Sequence, residues 1–215
     1  WREAKRAAVF GGEARLRDAG FNPQTAAFEA TLDWHGATLR LAPDSDYTHC
    51  LIARGENLRD EAMAALRALV AGKTLAMADL APGAGLVALV CASAAAEGSC
   101  VATLAETEEA ALPILRHATV NPGLCLQPMP CAVSTLAVLD ALPGAYRVVQ
   151  ASAFAPEDIA DSLLAARPDL VILDAGRRVH ALKSDLAARF LALGYVATAT
   201  SGAPLILDRN PEVQS

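Results

Sequence analysis

The chain has 215 residues with 18 Lys or Arg and 24 Asp or Glu, so its formal net charge is −6. Its 53% hydrophobic content excludes disorder for the whole chain, and its length predicts one domain with a modest appendage at most. The acidic balance, without any Lys/Arg run, argues against binding to nucleic-acid phosphates. No apolar run reaches the about 18 residues that a membrane-spanning helix needs, so we predict no membrane span.

The spacing of cysteine and histidine argues against metal chemistry. The five cysteines are odd in number and lack a Cys-x-x-Cys pair, and the four histidines lack a His-x-x-x-His pair. We therefore expect reduced, buried thiols, with no metal site and no disulfide framework. The start of the chain shows no signal-peptide pattern, and we expect a cytoplasmic protein.

Residues 1–70 are polar and mixed, and they predict an N-terminal appendage of helices and strands. Its predicted elements are a helix over 3–19, two strands within 30–41 around a turn at His35-Gly36, a strand over 48–53, and a helix that follows a cap at Asn57 and stops at Gly72. In the last of these helices, Met63, Leu66, Leu69 and Val70 fall on one face, which we expect to be buried.

From Thr74 onward, short apolar runs alternate with helical patterns. The predicted strands cover 75–81, 100–104, 124–127 and 146–152, and the predicted helices cover 85–96, 107–118 and a segment that begins at Pro156. Pro113 lies inside the second of these helices, and we expect it to kink or shorten that helix.

The strongest strand signal is the apolar run between Asp169 and Asp174, because a parallel strand covered on both faces is apolar throughout. A helix that ends at Gly194 is predicted next, with a buried face formed by Val179, Leu182, Leu186, Phe190 and Leu193. Closing strands are predicted over 195–200 and 204–207. This alternation predicts a Rossmann-like, doubly wound, mostly parallel α/β sheet over 71–215.

The loop after the strand at 75–81 carries the clearest chemical motif. Asp79 lies near the end of the strand, and Gly83 and Gly85 then open a helix. Glycines allow a tight turn and close approach of a ligand to the backbone, and the helix start supplies free N–H groups. In dinucleotide folds a similar loop holds a pyrophosphate. The alternative is a helix-starting turn that binds no ligand.

Three glutamates follow the next strand, about 20 residues beyond the glycine turn, where nucleotide-binding folds place an acid that binds ribose hydroxyls. They are Glu106, Glu108 and Glu109. Glu106 is the candidate ribose ligand among them. The alternative is that all three merely favour the start of a helix.

The chain carries, in order, Asp79-Leu-Ala-Pro-Gly-Ala-Gly85, Val101–Glu106, Leu115-Arg116-His117 with Asn121-Pro122, Ala132-Val133-Ser134, Leu170–Asp174 and Gly194-Tyr195. Taken in this order, over roughly residues 30–210, these motifs resemble the FkbM type of S-adenosylmethionine-dependent methyltransferases. The resemblance implies the Rossmann-like class I methyltransferase fold and S-adenosylmethionine as cofactor.

The resemblance also implies roles for individual residues at the carboxyl ends of the strands. Those implied to bind the cofactor are Asp79, Gly83, Gly85 and Glu106, with Ala132 and Val133 beside the adenine. A hydroxyl acceptor benefits from a general base, for which the candidates are Asp174 and His180. The alternatives are that Asp174 caps a turn and that His180 is a surface helix residue.

Three positions depart from the family pattern. Ala81 stands where the loop has its first glycine, Leu104 stands where a gapless comparison expects the acid, and Ala175-Gly-Arg-Arg178 replaces an acid-rich run. Arginine cannot act as a base at neutral pH, so the last change removes candidate bases. These departures favour a chain that keeps the fold with weakened or lost catalysis.

Two hypotheses from different classes follow. The leading one is a methyltransferase that O-methylates a hydroxyl of a small molecule or sugar, an acceptor class implied by the resemblance. The alternative is a catalytically inactive methyltransferase-like domain that serves as a structural or interaction subunit of a larger assembly. An NAD-dependent oxidoreductase fits less well because the loop lacks the G-x-G-x-x-G spacing. We expect no nucleic-acid partner, and either a homo-oligomer or a larger assembly is compatible with the sequence.

Overall fold

The computed structural model describes residues 21–22, 27–28, 31–40, 60–83, 85–105, 108–130, 135–174, 181–198 and 204–209. The strands in these ranges are β1 (Phe21–Asn22), β2 (Ala27–Phe28), β3 (Thr31–Trp34), β4 (Ala37–Arg40), β5 (Leu75–Asp79), β6 (Cys100–Ala105), β7 (Leu126–Pro130), β8 (Tyr146–Ser152), β9 (Leu170–Asp174), β10 (Val196–Thr198) and β11 (Leu205–Asp208). The α-helices are α1 (Asp60–Val70), α2 (Leu86–Ala94), α3 (Glu108–Val120), α4 (Thr135–Ala141), α5 (Glu157–Ala166) and α6 (Asp185–Ala192), and a 3-10 turn covers Ala181–Lys183.

Seven strands form the central sheet in the order β10–β11–β9–β8–β5–β6–β7. The strands from β9 to β7 in this order are all parallel, whereas β11 runs antiparallel to both β9 and β10. The prediction of a Rossmann-like, mostly parallel sheet is therefore confirmed. The chain leaves β5 in one direction through β6 and β7 and returns to β8 on its other side, so a topological switch point lies between β5 and β8.

Helices cover both faces of this sheet. One hydrophobic cluster joins α1, α2 and Ile114 of α3 to the strands, and this side is called the α1–α3 face. A second cluster joins α4, α5 and α6 to the opposite side, which is called the α4–α6 face. The sheet is therefore doubly wound, as predicted from the alternation of strands and helices.

The apolar run after Asp169 occupies the interior of the sheet. β9 pairs with β8 on one side and with β11 on the other, and its residues from Leu170 to Leu173 are fully buried. Continuous burial on both faces explains why this strand has no polar alternation.

The N-terminal hairpin is also confirmed. β3 and β4 pair antiparallel around His35 and Gly36, whose φ angles of 48° and 82° suit a two-residue hairpin turn. The hairpin contacts the sheet domain through Thr38, whose N–H donates to Asn121 Oδ1 (2.8 Å) and whose carbonyl accepts from Asn121 Nδ2 (2.7 Å). The helix over 3–19, the strand over 48–53 and the cap at Asn57 lie outside the described residues.

The helix predicted before Gly72 is present as α1. The apolar residues Met63, Leu66 and Val70 are fully buried in the same cluster as the sheet. The predicted division at residue 70 therefore runs between α1 and strands that share one core, and the division into an appendage and a domain stays a prediction.

The expectation that Pro113 shortens its helix was wrong, because α3 runs through Pro113 to Val120, and the alternative of a kink stays a prediction. Proline removes one helical hydrogen bond, but Ile114 and His117 on the following turn are buried. Packing of this helix against the sheet outweighs the local preference.

The helix predicted from Val179 to Leu193 was also partly wrong. The 3-10 turn ends at Lys183, and Ser184 begins a new helix by accepting a hydrogen bond from the Ala187 N–H (3.2 Å). The restart takes Leu182 out of the phase of the new helix, and it is 54% exposed, whereas Leu193 lies beyond the last helical residue, Ala192, and is 43% exposed. Leu186 and Phe190 are buried as predicted, and Val179 lies outside the described residues. Helix α4 was not predicted at all. Of the described helices, none is long and apolar enough to cross a membrane.

Candidate functional site

Four hydrogen bonds among the described residues hold the loop between β5 and α2. The Ala81 N–H donates to Asp79 Oδ1 (3.1 Å), and the Leu80 N–H donates to the Gln150 carbonyl (2.9 Å). Gln150 Nε2 donates to the Ala81 carbonyl (2.8 Å), and the Gly85 N–H donates to the Pro82 carbonyl (2.7 Å). The loop is therefore tied both to its own strand and to β8, at the switch point where open α/β sheets bind ligands.

Three buried polar side chains lie in one line across the sheet beneath this loop. Asp79 pairs in register with Thr103 of β6 and with Gln150 of β8, and equivalent residues of parallel neighbours point to the same face. We call Thr103, Asp79 and Gln150 the polar row. Because Met77 belongs to the cluster with α2, alternation along β5 places the row on the α1–α3 face.

Each member of the polar row has an unsatisfied polar atom. Asp79 and Thr103 are 0% exposed and Gln150 is 2% exposed. Asp79 Oδ2, Thr103 Oγ1 and Gln150 Oε1 have no hydrogen-bond partner among the residues that the structure describes. Buried polar atoms are rarely left without partners, so the row is suited to receive a hydrogen-bond donor from a ligand or a water molecule.

The electrostatics of Asp79 favour a cationic ligand. Burial raises the pKa of Asp79 to about 7, the hydrogen bond from Ala81 opposes that shift, and the charge of Asp174 adds to it. The ionised carboxylate is thus poorly stabilised in the free protein, and a nearby positive charge would stabilise it.

The two glycines of the loop have different surroundings. Gly83 has a φ of +50°, and a Cβ added there meets nothing within 4 Å. Gly85 has a φ of +76°, and a Cβ added there would lie 2.4 Å from Ile114 Cδ1. Gly85 therefore allows close packing of the loop against α3, whereas the open side of the loop is at Gly83.

The start of α2 provides the second polar feature of the site. Gly85 precedes the helix, and no side chain caps it. The first N–H groups of an α-helix have no intrahelical partner and carry a partial positive charge, which suits a carboxylate or phosphate group. The loop thus places a helix N-terminus beside the buried Asp79.

Asp174 lies on the same edge and the same face of the sheet as Asp79. It is opposite Ser152, two residues beyond the level of the polar row, and the Ala153 N–H donates to its carbonyl (2.9 Å). Strand spacing puts it about 10 Å across the sheet and about 6–7 Å further along the strands from Asp79. The structure therefore brings these two predicted site residues to one edge of the sheet.

The other predicted site residues, Glu106, Ala132, Val133 and His180, lie outside the described residues. Leu104, where the sequence comparison expected an acid, is 5% exposed and packs on the α4–α6 face. The strand continues to Ala105, so Glu106 is the first residue after β6 in the chain.

Sequence reasoning missed Thr103 and Gln150. A signal was present, since each is a polar residue inside an otherwise apolar strand, in Val101–Leu104 and in Val148–Ala151. Such a residue is often taken for the solvent side of an alternating strand. In an interior parallel strand both faces are covered, so the same residue indicates a buried polar group.

Comparison with known proteins gives a fold class. The chain matches no protein-family model and no curated protein sequence. It is similar to the structure of a methyltransferase from Geobacter sulfurreducens, with a TM-score of 0.50 and 15% identity over 68% of this chain and 77% of that one. This likeness, together with the strand order, defines the Rossmann-like class I methyltransferase fold.

Two further structures are similar at lower scores. The ribosomal protein L11 methylase from Lactobacillus delbrueckii subsp. bulgaricus has a TM-score of 0.47 and 18% identity over 69% of this chain and 75% of that one. The precorrin-6Y C5,15-methyltransferase from Geobacter metallireducens GS-15 has a TM-score of 0.48 and 13% identity over 69% of this chain and 88% of that one.

Proposed function

We propose that the chain is an S-adenosylmethionine-dependent methyltransferase that acts on a hydroxyl of a small molecule or sugar. The observation that carries the proposal is the buried carboxyl of Asp79, which has an unpartnered oxygen beneath the loop at the switch point. The acceptor class and the FkbM type come from the order of the sequence motifs.

The described residues fit the amino-acid end of this cofactor. Its ammonium group is a cationic donor, and Asp79 Oδ2 and Gln150 Oε1 are unpartnered acceptors. Its carboxylate suits the uncapped start of α2, and the open side at Gly83 leaves room for the ligand. Glu106 would bind the ribose hydroxyls, and Ala132 and Val133 would lie beside the adenine, as the family resemblance implies.

The chain itself would contribute positioning and a base. The bound cofactor supplies a methyl group that is already activated, so the main task of the chain is to align the acceptor oxygen with it. Asp174, at the end of β9, would take the proton of an acceptor hydroxyl, and His180 is the second candidate base. A positioned base contributes about 10²–10⁴-fold to the rate.

A second candidate function is the inactive subunit. It is favoured by Ala81, whose N–H is bonded to Asp79 and whose carbonyl is bonded to Gln150, so this part of the loop needs no ligand. Preservation of the sheet says little about chemistry, because burial of apolar residues stabilises it without a catalytic group.

Calorimetry with S-adenosylmethionine and S-adenosylhomocysteine tests the cofactor directly. We expect micromolar to submillimolar binding by the unaltered chain and at least about tenfold weaker binding of S-adenosylmethionine by Asp79→Ala. Asp140→Asn is the control, since it changes an exposed carboxylate in a surface ion pair with Arg147. No binding at millimolar cofactor would refute the methyltransferase and favour the subunit.

The role of Asp174 is tested by Asp174→Asn. If Asp174 is the base, turnover falls about 10²-fold or more while the affinity for S-adenosylhomocysteine stays within a few-fold. Methyl transfer from a labelled cofactor to a set of hydroxyl compounds supplies the activity measurement. Unchanged turnover in a folded variant would remove Asp174 from the mechanism and leave His180 as the base to test.

A further inference from the structure

Gln150 makes two hydrogen bonds to the loop between β5 and α2, one through its backbone and one through its side chain. Its backbone carbonyl accepts from the Leu80 N–H at 2.9 Å, and its side-chain amide donates to the Ala81 carbonyl at 2.8 Å. The second bond joins residues 69 positions apart in the sequence. With the bond from the Ala81 N–H to Asp79, it leaves both backbone groups of Ala81 held by strand side chains.

An apolar residue would be the ordinary choice at this position. Gln150 lies in an interior strand between Val149 and Ala151, both buried, and its Oε1 has no partner among the described residues. An unsatisfied buried carbonyl costs free energy, and one hydrogen bond to Ala81 does not obviously offset the burial of a whole amide. Local departures of this kind are expected where a site needs a particular group.

The sequence of the loop explains what the amide supplies. Pro82 has no N–H and follows Ala81 at the position where the chain turns from the strand toward α2. Because Pro82 has no N–H, the carbonyl of Ala81 is the one hydrogen-bonding group of the Ala81–Pro82 peptide, and the Gln150 side chain binds it. Asp79 holds the preceding peptide through the Ala81 N–H.

We propose that Gln150 is a positioning residue for the ligand-binding loop, which it acts on through the carbonyl of Ala81. Its amide holds the loop in the conformation that presents Gly83 and the start of α2 to the ligand. What that ligand is rests on the proposed function, but the restraint on the loop does not.

Thr103 provides a matched control within the same polar row. It flanks Asp79 on the opposite side, is equally buried and also has an unpartnered polar atom. The hydrogen bonds that hold Leu80, Ala81 and Gly85 do not involve Thr103. Thr103→Val therefore removes a polar group from the row and leaves the tie between β8 and the loop intact.

Hydrogen exchange of the ligand-free protein tests the restraint. In Gln150→Met, which keeps the length of the side chain, we expect the amides of Leu80, Ala81 and Gly85 to exchange about tenfold faster, while those of β9 are unchanged. Thr103→Val should leave the loop amides as they are. Equal exchange in Gln150→Met and the unaltered protein, or equal acceleration in Thr103→Val, would overturn the proposal.

A second variant separates positioning from simple loss of packing. In Gln150→Glu a protonated carboxyl can donate to the Ala81 carbonyl, whereas an ionised one cannot. We expect its loop protection to approach that of the unaltered protein as the pH falls and to drop about tenfold as the pH rises. Gln150→Met has no such group, so its loop protection relative to the unaltered protein should not change with pH. Identical pH profiles of the two variants would overturn the proposal.

The neighbouring titratable groups are common to both variants. They are Asp79 on β5, Asp174 at the end of β9, Cys91 on α2 and His117 on α3, which borders Gly85. The ratio of exchange rates between the two variants at each pH therefore reports the group at position 150, together with its effect on the adjacent Asp79.

Binding measurements connect the restraint to the proposed function. If the unaltered protein binds S-adenosylhomocysteine, Gln150→Met should bind it about tenfold more weakly, and the affinity of Gln150→Glu relative to that of the unaltered protein at the same pH should rise as the pH falls. An unchanged affinity in Gln150→Met would overturn the positioning role. If the unaltered protein binds no cofactor, the proposed function fails, whereas the exchange experiment still decides whether Gln150 restrains the loop.

Discussion

The two faces of the central sheet bury different chemistry. Among the described residues, the buried polar or charged side chains on the α1–α3 face are Asp79, Thr103, His117, Gln150 and Asp208. On the α4–α6 face the buried polar side chain is that of Ser184, which accepts from the Ala187 N–H and donates to the Ala181 carbonyl. The buried polar side chain of the α4–α6 face is therefore satisfied within the protein, whereas the three residues of the polar row on the α1–α3 face each have an unpartnered polar atom among the described residues.

This difference separates stability from function within one sheet. Apolar burial on the α4–α6 face contributes free energy of folding and needs no ligand. The polar row on the α1–α3 face reduces that free energy. Its buried atoms lose hydrogen bonds to water on folding, and each residue of the row has an atom for which no protein hydrogen bond replaces them. We therefore expect changes on the first face to alter stability alone, and changes near the polar row to alter ligand affinity as well.

The largest effect is expected on the apolar face, from Phe190→Ala. Phe190 is fully buried, and its ring packs edge-on against Tyr195 with centroids 5.0 Å apart. Its truncation should lower the free energy of unfolding by about 4 kcal/mol, measured by urea denaturation. Leu191→Ala, on the exposed side of the same helix, should change it by less than about 1 kcal/mol. Altered cofactor affinity in folded Phe190→Ala would contradict the separation of the two faces.

The next effect concerns packing of the loop against α3. Gly85→Ala should lower the free energy of unfolding by about 3 kcal/mol, because its Cβ would lie 2.4 Å from Ile114 Cδ1 and its φ is +76°. Gly83→Ala should cost about 1 kcal/mol, since only the backbone angle is unfavourable. Thermal unfolding of both variants checks this order. Equal destabilisation would show that α3 moves aside without cost.

Asp79→Asn should make stability less dependent on pH. The folded pKa of about 7 exceeds the value of about 3.9 expected in the unfolded chain, so the folded state binds more protons between these values. The unaltered protein therefore loses stability as the pH rises from about 4 to 7, and the Asn variant lacks this loss. Since about three pKa units at 1.36 kcal/mol each separate the two states, we expect the variant to gain at most about 4 kcal/mol over the unaltered protein between pH 4 and pH 8.

Urea denaturation of both proteins across this range measures the effect. Asp140→Asn is again the control, because it makes the same change to a carboxylate that is 72% exposed and far less buried than Asp79. Parallel profiles for Asp79→Asn and the unaltered protein would mean that Asp79 titrates normally and that the polar row is already satisfied.

The smallest effect is expected from Ser184, the buried polar residue of the α4–α6 face. Ser184→Ala removes the cap of α6 and should lower the free energy of unfolding by about 1 kcal/mol, without any effect on cofactor affinity. Ser184→Asp keeps a capping oxygen and should lose less. A loss of binding in Ser184→Ala would extend the functional region to this face.

Local patterns in the sequence predicted the elements well. The turn at His35-Gly36, the strand from Tyr146 to Ser152 and the apolar run that becomes β9 could be read directly, because each is set by neighbouring residues. The position of Asp79 at the end of a strand was predicted for the same reason. The restart at Ser184 was missed, although Ser followed by Asp185 is a local capping signal.

Local sequence patterns could not predict the polar row. Thr103, Asp79 and Gln150 lie on three different strands and meet only because β6, β5 and β8 pair in parallel at one register. A side-chain pattern along one strand does not specify which strand lies beside it.

The sequence by itself thus determined most of the elements, the α/β class and the loop that follows Asp79, but not helix α4 or the restart at Ser184. Only the tertiary structure decided that Gly85 packs on Ile114, that Gln150 holds Ala81, and that burial raises the pKa of Asp79. The physical reason is the separation along the chain over which each kind of interaction acts. Backbone preferences and hydrophobic periodicity act between near neighbours in the chain, whereas desolvation and hydrogen bonding depend on which distant residues the fold brings into contact.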